Sequence, residues 1–171
     1  MEFIYKTALS VAEMMCSAAI TAPKGKGINL LHVEIFKDQR KDEVAEFMAT
    51  IGREKNISFF IRDAKNVYES ICVVFIGTIV TPRKVPNCGF CGAKNCEDAL
   101  SKGISCAFAT GDLGIAIGSA ISIASLHHID NRIMFSFGKA AIEGGFVPNN
   151  IKIGYGIPLS ISGKNIFFDR K

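Results

Sequence analysis

A chain of 171 residues is the length of a single domain and is large enough to bury a real core. Its formal charge of +4 is modest, and its lysines and arginines are scattered among acids with no basic tract or aromatic interleaving, which argues against a nucleic-acid partner. The start, Met1-Glu2-Phe3-Ile4-Tyr5-Lys6, lacks the basic region and cleavage site of an export signal, and the longest apolar run, Leu113 to Leu126, is too short for a bilayer, so no membrane is expected.

Ile4, Ala8, Val11, Ala12, Met15 and Ala19 recur at helical spacing and predict a first helix, with Cys16 in it as a small buried residue. It ends before Pro23, in the loop Thr21-Ala22-Pro23-Lys24-Gly25-Lys26-Gly27. Two ammonium groups beside two glycines suit a phosphate, so Lys24, Gly25, Lys26 and Gly27 are candidate cofactor-binding residues; a solvated turn accounts for the same composition. The P-loop pattern G-x-x-x-x-G-K-[ST] is absent. Leu30 to Phe36 alternates as a strand in which His32 is structural. Lys41 to Lys55 predicts an amphipathic helix with Val44, Phe47, Met48 and Ile51 inward. Ile57 to Glu69 ends as a helix, with Arg62 and Asp63 near its beginning. Cys72 to Val80 is a continuous apolar run rich in β-branched residues and predicts an interior strand with Cys72 in the core. Thr81 to Asn87, with Pro82 and Pro86, predicts an irregular loop leading into a cysteine-rich stretch.

Four of the six cysteines fall between positions 88 and 106, with the spacing C-x2-C-x4-C-x9-C. Cys88, Cys91, Cys96 and Cys106 converge only if something holds them, and an iron–sulfur cluster, a zinc ion and disulfides are the alternatives. The details favour a cluster. Cys88 and Cys91 reach one centre from a tight turn, and Gly89 and Gly92 let the backbone aim N–H groups at sulfur. Glu97 to Lys102 can make a helical turn with Gly103 in the left-handed position after it, bringing Cys106 back to the start of the next helix. Structural zinc more often shows two separated C-x2-C pairs, and the second pair is missing. Clustered thiols without an export signal belong in a reducing cytoplasm.

Ala107 to His127 predicts a long helix, apolar nearly all round, hence buried on every side, either central to the domain or shared across a dimer interface. His127 and His128 read as polar residues at its end. Ile133 to Phe137 predicts a short extended piece, Gly138 to Glu143 a short helix, Asn150 to Ser160 a strand, and Ile166 to Phe168 a segment closing the sheet.

The residues Cys88, Gly89, Cys91, Gly92 and Cys96 resemble the small [4Fe–4S] modules of corrinoid and electron-transfer proteins, although Cys106 comes sooner than the fourth cysteine of those modules. The whole chain resembles uncharacterised prokaryotic proteins described as containing a ferredoxin domain. That resemblance rests on the 21–27 loop, Arg62-Asp63-Ala64, the cysteine window, Asp112 to Ala120, Ile157 to Ser160 and Ser162 to Asn165. A second resemblance is to FMN-dependent nitroreductases: a helix ending in Ala22-Pro23, the strand Leu30 to Phe36, a long buried helix and the late strand Ile153-Gly154-Tyr155-Gly156-Ile157-Pro158. It implies an α+β homodimer with flavin at its interface, where Lys24 and Lys26 stand in for arginines that hold the flavin phosphate in those enzymes.

The expectation is therefore a single α+β, nitroreductase-like domain over residues 1–171, with a sheet flanked by helices and an inserted cysteine-rich loop at 81–106 carrying a [4Fe–4S] cluster. The function expected is redox: electron transfer, or a flavin-dependent oxidoreductase with FMN as a second cofactor. The alternatives are a zinc-stabilised binding protein without chemistry, and a cluster serving as structural staple or redox sensor. No G-x-S-x-G, H-E-x-x-H or paired catalytic carboxylates point to a hydrolase.

Overall fold

The computed structural model describes residues 2–168, so the ends of the expected domain at 1 and 169–171 lie outside the described residues. In chain order the elements are α1 (Glu2–Thr21), β1 (Leu31–Lys37), α2 (Asp38–Glu54), α3 (Ser58–Glu69), β2 (Cys72–Thr78), α4 (Cys96–Ser101), α5 (Ala107–Leu126), β3 (Asp130–Asn131), α6 (Phe135–Glu143) and β4 (Ile153–Ser160). The strands form one antiparallel sheet in the order β1-β2-β4-β3.

Side chains of a strand alternate between faces, and β2 uses both. Val73 and Phe75 enter a core with Phe36 of β1 and apolar residues of α2, α3 and α6. Cys72, Val74 and Ile76 enter a second core with α1 and α5. Every residue of β2 is buried, which is why its sequence reads as an unbroken apolar run. The result is helices on both faces of a sheet, as the α+β expectation requires. Phe36 meets Phe137 edge-on at 5.4 Å between ring centroids, fixing α6 over the first core. Gly138 lets α6 lie on β4, since a Cβ there would sit 1.8 Å from the Gly154 carbonyl oxygen.

α1 and α5 pack on each other through small residues. Ala8, Ala12 and Ala19 of one and Ala109, Ala116, Ala120 and Ala124 of the other are buried. Both helices are long and apolar enough to cross a membrane by length and composition, a test that core helices also pass. α5 is not buried on every side, contrary to its sequence pattern. Gly111, Gly114, Ile115, Gly118 and Ser122 form a face open to solvent in this chain, because α1 and the sheet cover the opposite face alone.

Three further expectations are corrected. Ile133 to Phe137 is not an extended piece: Met134 makes an isolated bridge to Gly156, and α6 already begins at Phe135. Ile166 to Phe168 does not extend the sheet but turns: the Asn165 side chain accepts from the Phe167 N–H (2.9 Å), Arg132 donates to the Phe167 carbonyl (2.9 Å), and the Phe167 ring is buried. α2 starts at Asp38 rather than Lys41, and Lys41 is buried, donating to the Val67 and Tyr68 carbonyls near the end of α3 (2.8 and 3.0 Å).

Candidate functional site

The chain from Ile79 to Asn95 has no regular structure, and short-range bonds shape it. Gly89 and Gly92 take the positive φ values of +60° and +82° that glycine tolerates, and the Gly92 N–H donates to the Gly89 carbonyl (2.9 Å), closing a turn around Cys91. Asn95 caps α4, its side chain accepting from the Asp98 N–H (2.8 Å). The Asp98 carboxylate pairs with Lys102 (2.8 Å) and accepts from the Lys94 N–H (3.0 Å), and these two hold its carboxyl below the usual carboxylate range. α4 ends with Gly103 at φ +65°, the Gly103 N–H donating to Leu100 and the Ile104 N–H to Ala99, the Schellman pattern. The chain thereby turns back, and Cys106 becomes the N-cap of α5.

Cys88, Cys91, Cys96 and Cys106 all line one cavity of about 280 Å³, together with Pro82, Arg83, Val85 and Ala99. The four residues expected to share a site are thus brought together, and all six cysteines are unpaired thiols. Among the described residues no three His, Cys, Asp or Glu side chains are close enough to grip a single metal ion.

A buried ion pair underlies this cavity. Arg83 and Asp112 are 3% and 4% exposed, and two guanidinium nitrogens lie 3.1 Å from one carboxylate oxygen. The other oxygen accepts from the Gly25 N–H (2.8 Å). Beyond Asp112 lies a mostly apolar slot of about 400 Å³, bounded by Pro23, Gly25, Phe90, Phe108, Gly111 and Ile115. Phe108 borders both spaces, and Phe90, from the Cys88–Cys91 turn, stacks on it almost parallel (9°, 5.8 Å). Sequence reasoning did not single out Arg83, Asp112, Phe90 or Phe108 as site residues. Asp112 carried a signal: it is the sole charged residue in α5.

The loop 21–27 reaches the slot, but its groups are differently employed than expected. The Lys24 ammonium donates to the carbonyls of Ala19, Ile20 and Ala22 (3.0, 2.6 and 2.6 Å) and so caps the end of α1; partial burial lowers its pKa, against the attraction of Asp112. The Gly25 and Gly27 N–H groups are bonded to Asp112 and the Lys24 carbonyl. Lys26 is exposed. His32 lies on β1 within 3.0 Å of Glu34, away from both spaces, and His127 and His128 follow α5 at its far end.

Cys16 and Cys72 sit in or beside the second core. Burial, reinforced by Glu13, pushes the Cys16 thiol up to about 11, and burial, reinforced by Cys16, pushes the Cys72 thiol up to about 12. Because a raised pKa keeps a thiol protonated until the pH approaches it, both stay unreactive near pH 8. In metal-free protein at pH 8, iodoacetamide is expected to label Cys88, Cys91 and Cys96 while sparing Cys16 and Cys72, with Cys16 labelling appearing as the pH rises toward 11. Peptide mass mapping reads the outcome.

Comparison with known proteins places this architecture. An uncharacterized protein of Archaeoglobus fulgidus is 34% identical over 169 residues, covering 93% of this chain and 89% of that one. Among solved structures, a nitroreductase with bound FMN from Desulfitobacterium hafniense superposes with a TM-score of 0.61 at 17% identity, over 91% of this chain and 78% of that one. An FMN-dependent nitroreductase from Mycobacterium smegmatis gives 0.60 at 14% identity over 90% and 78%. A putative NADH dehydrogenase/NAD(P)H nitroreductase from Bacteroides thetaiotaomicron gives 0.60 at 12% over 91% and 74%. The fold is thus nitroreductase-like. Residues 102–170 match a family described as uncharacterized protein containing a ferredoxin domain (DUF2148), a stretch that includes Cys106 and begins after the other three window cysteines. With the archaeal relative alike over nearly the whole chain, this protein belongs to the family of uncharacterized proteins containing a ferredoxin domain.

Proposed function

We propose that this is a redox protein whose Cys88, Cys91, Cys96 and Cys106 hold a [4Fe–4S] cluster, serving electron transfer or flavin-dependent oxidoreduction. The observation that carries the reading is one cavity of about 280 Å³ lined by all four thiols. A single zinc ion draws its ligands to about 2.3 Å from one point. A cluster distributes its thiolates over several irons, so a wider ring of cysteines around a space suits it better. Pro82, Val85 and Ala99 add apolar lining to that space, and the Gly92 N–H to Gly89 carbonyl bond closes the turn that carries Cys91. Such a cluster, when bound, takes up and returns electrons singly. Six unpaired thiols suit a reducing cytoplasm, where such a site persists. Anaerobically reconstituted protein is expected to be brown and to contain iron and acid-labile sulfide. Cys88→Ser, Cys91→Ser or Cys96→Ser should each abolish this, whereas Cys16→Ser and Cys72→Ser should retain it. Zinc in place of iron, or colour surviving all three window substitutions, overturns the assignment.

FMN is the proposed second cofactor, supported by the fold shared with FMN proteins and by the apolar slot beside the cysteine cavity. With Lys24 committed to the end of α1, Lys26 is the side chain of this loop left to meet the phosphate. Titration of the protein with FMN should quench flavin fluorescence. Lys26→Ala should weaken binding roughly tenfold or more, the worth of one charge-assisted hydrogen bond. Lys24→Ala should instead cost about 1–2 kcal/mol of stability in urea unfolding.

A homodimer is proposed on the open face of α5. Gly111, Gly114 and Gly118 have nothing within 4 Å of a built Cβ, so a second helix has room to approach closely there. Light scattering at micromolar concentration should give twice the chain mass, and Gly118→Leu should reduce it to the chain mass without unfolding the protein. A wild-type monomer refutes the interface.

A further inference from the structure

Arg83 is the buried cation in the wall of the cysteine cavity; Lys84 and Lys94, which also border it, are exposed. Its donors are only partly engaged. One N–H group donates to Asp112 and one to the Thr81 carbonyl (3.1 and 3.3 Å), and the second terminal nitrogen lies 3.1 Å from Asp112. A guanidinium has five N–H groups, so two are left outside these contacts. The partner carboxylate is itself anchored, since its other oxygen holds the Gly25 N–H. Arg83 is therefore a fixed charge rather than a mobile one.

We propose that the Arg83–Asp112 pair sets the reduction potential of the site: Arg83 supplies a buried positive charge that favours the reduced state, and Asp112 positions and partly offsets it. This rests on the reading that the four cysteines hold a cluster. One-electron reduction by an external donor adds one negative charge, with no bond broken and no proton moved. Four thiolates holding a cluster would make the cavity electronegative. In a low-dielectric surrounding a neighbouring guanidinium stabilises the added charge far more than an exposed lysine does. Net charge and hydrogen bonding to the sulfurs are among the levers that set such potentials. Both residues are positioning residues in this account.

The test is an anaerobic potentiometric titration of the reconstituted full chain, followed by absorbance. Arg83→Met should lower the potential, and Asp112→Asn should raise it by leaving Arg83 uncompensated. Each shift should be tenfold or more in the reduction equilibrium, about 59 mV for one electron. Arg83→Lys should stay closer to wild type than Arg83→Met. Breaking a merely structural ion pair destabilises the fold from either side and gives no reason for opposite signs. Shifts of the same sign, or potentials equal to wild type, overturn the proposal. Should Arg83→Met fail to fold, the double substitution Arg83→Met/Asp112→Asn leaves no uncompensated buried charge. It must then titrate below Asp112→Asn alone, and equality overturns the proposal. A wild-type protein that takes up no iron and sulfide refutes the cluster reading instead, and is told apart from these outcomes by metal analysis before any titration.

Discussion

One carboxylate joins the cysteine-lined cavity to the apolar slot beside it. Asp112 projects from α5, receives the Gly25 N–H from the loop after α1, and pairs with Arg83 from the segment that leads into the cysteines. Three stretches distant in sequence are tied at one buried point. Removing one partner of such a pair leaves a charge without water or counter-charge, at a cost of about 3–5 kcal/mol. Because the pair lies between the cysteine cavity and the apolar slot, the position of each space depends on it.

The sheet supplies the rigid frame for that arrangement. β2 is buried on both faces, and the two cores it separates are built from different helices. α5 belongs to one of those cores, and through Cys106 at its N-cap it also closes the cysteine cavity. The same helix therefore sets the depth of the core and the location of the site. Its small buried residues allow α1 to lie close, which brings the loop at Pro23–Gly25 within reach of Asp112.

Phe108 gives the two spaces a common wall, and Phe90 stacks on it from the side of the slot. Phe90 is 76% exposed yet stacked, so the cysteine turn is steadied by an aromatic contact that does not depend on the core. A cavity lined by four soft thiols beside an apolar slot is an arrangement in which a metal centre and a flat organic molecule can sit close together without sharing ligands.

The sequence by itself determined the elements whose pattern is local. The spacing of Ala8, Val11, Ala12, Met15 and Ala19 marks the buried face of α1, and the unbroken run at Cys72 marks a strand covered on both sides. The cysteine spacing, the glycines at 89 and 92 and the left-handed Gly103 were equally legible, because tight turns and helix ends depend on residues only a few positions apart. Tertiary structure alone decided what depends on distant partners. Lys24 reads as a free ammonium in sequence, but the end of α1 takes all three of its donors. Ile166 to Phe168 has the composition of a strand, yet contacts with Arg132 and Asn165 hold it in a turn. α5 is apolar on every face, and only the placement of α1 and the sheet decides which face is left open. Asp112, the one charge in α5, was a signal passed over in the sequence, and Arg83 could be identified as its partner only in three dimensions, because the two stand 29 positions apart in the chain and nothing local joins them.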